Sequence, residues 1–305
     1  MATSPWGEKP PGVRYSVGMK IGISPVNVGY PSPEPIAVIA KKAEEVGVES
    51  VWTYEHVIVP VEYASTYPYH AKGKMPARPD TPFIDPLIAL SYVAAHTTTL
   101  KLGTGVNILP QTNPLLAAKQ VASIDFLSGG RMMYGVGVGW LSEEFDAMGT
   151  PFERRGARFN DYLVAMKKVW TGETVEHDSD FVSWHGFKSH PMPAQRPHPP
   201  IIVGGTSKPA YRRVVKHGDG WISPNNSVEQ LAEQIAELHA IAREHGRDPD
   251  TIEITGTWMM SRQPDDLPRY RDLGVTRLII QVMMLPGGNP IEGLDRLGDE
   301  VLSKL

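Results

Sequence analysis

One acid–histidine pair and three glycine clusters are the parts of this 305-residue sequence that could do chemistry. Tyr54-Glu55-His56 sets an imidazole beside a carboxyl group, a pairing suited to moving a proton because imidazole titrates near working pH. Gly103-Thr104-Gly105-Val106-Asn107 and Gly135-Val136-Gly137-Val138-Gly139-Trp140, the latter followed by Glu143 and Glu144, hold backbone that something must approach closely. Gly204-Gly205-Thr206-Ser207 adds hydroxyls and N–H groups ahead of a predicted helix, which suits a phosphate. Each cluster alone is explained equally well by tight internal packing. Three on one rim point to a ligand.

Other chemistry is missing. There are no cysteines, which excludes disulfides, thiolate metal sites and cysteine nucleophiles. No H-E-x-x-H, EF-hand loop, P-loop or G-x-S-x-G occurs. The ten histidines lack metal-ligand spacing, and His185, His190 and His198 sit in a proline-rich stretch that reads as exposed, so no metal site is expected. No lysine stands where a Schiff base would form. The remaining furniture of Gly, Thr, Asn, Trp and one Glu–His pair suits a bound redox cofactor that supplies the hard chemistry.

These residues need a scaffold that brings them to one rim. Short apolar runs alternate with amphipathic segments along the whole chain. Strands are predicted at Met19–Ser24, Ser50–Tyr54, Leu100–Ile108, Arg131–Val138, Pro200–Gly204, Trp221–Ser223, Ile252–Trp258 and Thr276–Val282. Helices between them start at Ser32-Pro33, Asp85-Pro86, Asn113-Pro114, near Pro209, at Ser227 with Gln230 as a capping box, at Leu267 and at Asn289-Pro290. A further helix buries Phe159, Tyr162, Leu163, Met166 and Trp170. Eight strand–helix units predict an α/β fold, a closed (β/α)8 TIM barrel forming one domain over residues 1–305, with insertions after strands two and four. An open doubly wound sheet is the weaker alternative. The insertions are Pro60–Pro82 and Thr171–Pro200, the second with a hairpin over Thr174–Trp184. In a parallel barrel the site lies at the C-terminal ends of the strands, where the acid–histidine pair and the glycine clusters fall. Trp52 and Tyr54 read as barrel filling.

The formal net charge is −4 and no long basic run occurs, so a nucleic-acid partner is not expected. No stretch approaches the roughly 20 apolar residues that span a bilayer. Met1–Met19 has no apolar core of the signal-peptide kind, and a soluble cytoplasmic protein is expected.

Ser50–Pro60, Leu102–Asn113, Leu127–Phe145 and Arg196–Trp221 resemble luciferase-like flavin enzymes, in the right order over nearly the whole chain. The likeness is greatest to the actinobacterial branch that uses the deazaflavin coenzyme F420. The resemblance implies that Glu55 and His56 close strand two, with His56 near the reactive carbon of the ring and Glu in place of the commoner Asp. It implies a strained non-proline cis peptide within Gly103–Val106, with Thr104, Gly105, Val106 and Asn107 as cofactor contacts. Gly137, Val138, Gly139, Trp140 and Glu143 would lie beside the ring or ribityl chain. Gly204, Gly205, Thr206 and Ser207 would hold the phosphate, helped by Pro224 and Asn225. Trp140 stands where a sugar-phosphate dehydrogenase branch carries a catalytic carboxylate, which argues against that reaction. The implied chemistry is hydride transfer between F420 and a small organic substrate, with His56, oriented by Glu55 or a backbone group, exchanging the proton. The alternatives are a two-component monooxygenase fed reduced FMN by a separate reductase, a non-catalytic flavin or F420 carrier, and a cofactor-free phosphosugar barrel enzyme that would need carboxylates absent here. The resemblance also implies a homodimer. Glu144 reads mainly as a surface residue; Arg154 and Arg155 read either as surface residues or as contacts to an acidic cofactor tail.

Overall fold

The computed structural model describes residues 18–224, 227–258 and 266–305. Strands β1 (Lys20–Ser24), β2 (Ser50–Thr53), β3 (Lys101–Thr104), its short continuation β4 (Asn107–Ile108) and β5 (Met132–Gly137) form the first half of a parallel sheet. An antiparallel hairpin, β6 (Val175–Asp178) and β7 (Ser183–Phe187), stands apart in the second insertion. The sheet resumes with β8 (Ile201–Gly204), β9 (Gly220–Ile222), β10 (Glu253–Thr257) and β11 (Arg277–Gln281). β11 pairs with β1, with Ile21 opposite Leu278, so the sheet closes into an eight-stranded barrel as expected. Its lumen is filled by Trp52, Met133, Ile202, Ile222 and Ile279, with Val106 resting on them. Trp52 is 0% exposed and donates its indole N–H to Ser50, so it fills the barrel as expected.

Helices α1 (Glu34–Val46), α2 (Pro86–His96), α3 (Pro114–Leu127), α4 (Ser142–Ala147), α5 (Arg155–Val169), α6 (Lys208–His217), α7 (Val228–Glu244), α8 (Leu267–Asp272) and α9 (Pro290–Glu300) lie outside the sheet. Three start by one device: Asp85, Asn113 and Asn289 each accept from two backbone N–H groups while Pro86, Pro114 and Pro290 take the first helical position. Ser227 accepts from the Gln230 N–H at 3.4 Å, one half of the expected capping box, and donates its hydroxyl to Glu229. Ser32 does not cap α1. The helix begins one residue later, behind Pro33, and no side chain caps its start. Among the described residues α4, unread in the sequence, is the one added α-helix.

The two barrel ends are built differently. At the N-terminal end Arg277, 1% exposed, is gripped by Glu49 at 2.8 Å and by Glu253, a buried network in which losing one partner would leave an uncompensated charge. At the C-terminal end the first insertion folds back over the rim. It has no helix or strand of its own. Asn27, fully buried, ties its base by donating to the carbonyls of Tyr54 and Ile84 and accepting from the Tyr54 N–H.

Candidate active site

His56 follows the end of β2 and its ring lies at the mouth, edge-on to Phe83 and Trp140 with centroids 5.4 and 6.0 Å away. The carboxylate that meets it is that of Glu144, not Glu55. Glu144 Oε2 lies 3.1 Å from His56 Nδ1, and Oε1 accepts from the N–H groups of Val57 at 2.5 Å and Ile58 at 3.3 Å. Glu144 is 2% exposed. The expectation that it faced solvent is therefore corrected: α4 turns Leu141, Glu144 and Phe145 inward and leaves Asp146 outside. The four-residue spacing of Leu141 and Phe145 was the available signal for this buried face.

Glu55 points the other way. Its Oε2 accepts from Asn107 Nδ2 at 2.8 Å and from the Ile108 N–H at 2.5 Å. Asn107 Oδ1 in turn accepts from the Tyr134 hydroxyl at 2.6 Å. Burial is the main reason the Glu55 carboxyl is pushed up to about 8, with Glu144 and Asp85 adding to it against the bond from Ile108. Glu55 is thus mainly a neutral acid at pH 7.

Several residues expected to touch a cofactor are committed to the protein. Thr104 is fully buried and donates to the Gly135 carbonyl at 2.6 Å. The Asn107 amide is used at both ends, by Glu55 and Tyr134. A Cβ on Gly137 would fall 2.6 Å from Val106, and one on Gly139 2.7 Å from Ile108 and from Phe145, so both glycines make room for side chains. A Cβ on Gly204 would lie 3.0 Å from Val106. The Gly105-Val106 peptide is cis, within the stretch where the resemblance placed such a bond. Val106, Val138 and Trp140 keep part of their surface open at the mouth.

Glu143 is also engaged, by the insertion. Its Oε1 accepts from the N–H groups of Ala64 at 2.6 Å and Ser65 at 3.1 Å, and Ser65 Oγ meets Ser142 Oγ at 2.8 Å. Burial raises its carboxyl, but the bonds from Ser65 and the backbone outweigh this and bring it down to about 2. This latch brings Tyr63 and Tyr67 onto Trp140, at 5.7 and 5.1 Å between centroids. The result is an aromatic wall beside His56. Sequence reading missed Tyr63, Tyr67 and Phe83, because nothing in an irregular loop reveals where its rings fold back. Arg154 pairs with Asp180 at 2.6 Å on the surface, and Arg155 donates to the Gly139 carbonyl at 3.2 Å.

The loop after β8 suits a phosphate. Gly205 has φ +112, a region that favours glycine, and a Cβ there would press on Ala210 at 3.1 Å. Among the described residues none accepts from the backbone N–H groups of Gly205, Thr206 or Ser207. Ser207 caps α6 by accepting from the Ala210 N–H at 3.4 Å, so these donors lie at the positive end of that helix. Pro224, after β9, is partly buried, and Asn225 lies outside the described residues.

Comparison with known proteins agrees with this architecture. An uncharacterized protein of Mycobacterium tuberculosis is 32% identical over 247 residues, 80% of this chain and 85% of its own length. An FMNH2-dependent dimethylsulfone monooxygenase of Pseudomonas putida is 36% identical over 157 residues, 50% of this chain and 43% of that protein. The solved coenzyme F420-dependent tetrahydromethanopterin reductase of Methanopyrus kandleri shares the fold, with a TM-score of 0.74, 16% identity, and coverage of 94% of this chain and 99% of that one. Among the described residues no helix is long and apolar enough to cross a membrane. The luciferase-like monooxygenase family model matches residues 15–290, and the chain belongs to that family as one of its oxidoreductases.

Proposed function

We propose that the protein transfers hydride between coenzyme F420 and a small organic substrate at the barrel mouth, with His56 exchanging the accompanying proton. The observation that carries this reading is the contact of His56 Nδ1 with the buried Glu144 carboxylate. The fit of the cofactor's tail is supported by the N–H groups of Gly205, Thr206 and Ser207, which no described residue engages. When bound, the reduced deazaflavin supplies a hydride. The substrate, an electron-poor C=C, C=N or C=O group, gains that hydride at carbon and a proton at the neighbouring atom. Glu144 takes Nδ1 and leaves Nε2 as the nitrogen that delivers the proton. The same carboxylate holds the counter-charge while the ring is protonated. Glu55 acts as a positioning residue, fixing Asn107 and β4 behind the mouth. Tyr63, Tyr67 and Trp140 exclude water and wall the substrate.

A second reading, oxygenation with reduced FMN delivered by a separate reductase, is favoured by the likeness to the Pseudomonas monooxygenase. Both readings use the same phosphate seat. We further propose a cytoplasmic homodimer, supported by the exposed Ile88 on α2 and Leu116, Phe126 and Leu127 on α3, two neighbouring helices with apolar residues on their outer sides. The test of catalysis is oxidation of reduced F420 by a panel of enones, imines and ketones with wild type and His56→Ala. Substrate-dependent oxidation that His56→Ala abolishes, with cofactor affinity kept, is the expected result. Unchanged turnover in the variant rejects the proton-transfer role.

A further inference from the structure

A second concentration of chemistry lies outside the barrel, in the cleft between α5 and α6. Its cavity of about 180 Å³ is lined by Asn160, Pro209, Arg212, Arg213, Lys216 and His217. Three of these side chains are cationic and none is acidic. Arg213 forms no ion pair among the described residues: its Nε is buried without a partner and its guanidinium lies over the Phe159 ring, 5.7 Å from the centroid. A Cβ on Gly156 would run into that guanidinium, so the glycine lets Arg213 lie against the start of α5.

His217 closes the cleft. It is 6% exposed, and its Nε2 has no partner among the described residues. Burial and then Lys167, Lys216 and Arg213, all positive, hold its imidazole down at about 4, so the ring is neutral at pH 7. Arg213 is likewise depressed by burial and by Arg155, another cation. The final-turn carbonyls of α6 do not offset this charge. Lys167 already covers that of His217, and Arg247 covers those of Val214 and Val215. The Asn160 amide, its Oδ1 unpartnered, presents donors to the cavity if turned over. Like charges gathered in a half-buried cleft repel, and the most direct relief is a bound anion.

We propose that the α5–α6 cleft binds a compact oxyanion of the phosphate class, free or as the end of a larger ester, through Arg212, Arg213 and Lys216 with His217 Nε2–H as a further donor. The cleft differs from the mouth seat: His217 stands at the far end of α6 from Ser207, roughly 15 Å along the helix.

The test is titration of the full chain with inorganic phosphate at constant ionic strength, followed by imidazole NMR of His217 and by calorimetry. Binding should raise the His217 titration midpoint from its low value. Arg213→Gln and the exposed Lys216→Gln should each weaken phosphate at this site by about tenfold, as expected for a lost charge-assisted bond. Ser207→Ala, which alters the mouth seat, should leave the His217 response intact. A parallel titration with glycerol phosphate separates the two sources, tighter binding marking an ester and equal or weaker binding the free ion. A His217 resonance indifferent to phosphate, or affinity unchanged in both Arg213→Gln and Lys216→Gln, overturns the proposal by leaving an adventitious ion only.

Discussion

Glu55→Gln isolates the most unusual ionisation at the site. The folded protein holds this carboxyl at about 8, whereas an unfolded chain holds it at the ordinary 4.5. Between those values the folded state keeps a proton that the unfolded state has lost, so stability falls as pH rises and levels off above about 8. One pH unit is worth about 1.4 kcal/mol, which makes the loss about 3 kcal/mol between pH 4.5 and 7. Glutamine accepts the same two bonds from Asn107 and Ile108 and has no proton to lose. The variant should gain on wild type steadily from pH 5 to 8, measured by urea unfolding at each pH. A stability difference that stays flat with pH refutes the neutral-acid assignment of Glu55.

Glu144→Gln should lower kcat while leaving cofactor affinity near wild type, read by steady-state kinetics and equilibrium binding, because it weakens the contact to His56 without emptying the space. Glu143→Ala releases the latch at Ala64 and Ser65, and should speed limited proteolysis within residues 60–82 and raise KM more than it lowers kcat. Gly205→Ala forces a side chain into a conformation that disfavours it and onto Ala210, and should cost about 1–3 kcal/mol in thermal or urea unfolding and weaken any phosphorylated cofactor. In each case wild-type behaviour contradicts the role assigned.

Periodicity and capping carried the fold in the sequence. Asp85, Asn113, Ser227 and Asn289 announce helix starts through local chemistry, and eight apolar runs between them leave few topologies. The third strand is split where one apolar run was read: Gly105 still donates its N–H to the Thr53 carbonyl at 2.7 Å, and pairing resumes at Asn107 against β5 instead of β2. α4 escaped because its six residues, with Leu141 before them, leave little more signal than one apolar pair at helical spacing, Leu141 and Phe145. With it went Glu144, whose burial depends on that helix. The glycines were read correctly as close approaches, yet Gly137 and Gly139 are approached by Val106, Ile108 and Phe145. Sequence spacing reveals that a neighbour is near and not what it is. The Gly205 loop keeps N–H donors that no described residue engages.

Equilibrium titration of the purified protein with F420 and, separately, with FMN, following ring fluorescence, addresses the central claim most directly. The account predicts saturable binding of F420, tighter than FMN and weakened by Gly205→Ala. Tighter binding of FMN would reverse the choice of ring, and binding of neither would contradict a redox cofactor seated at the mouth beside His56.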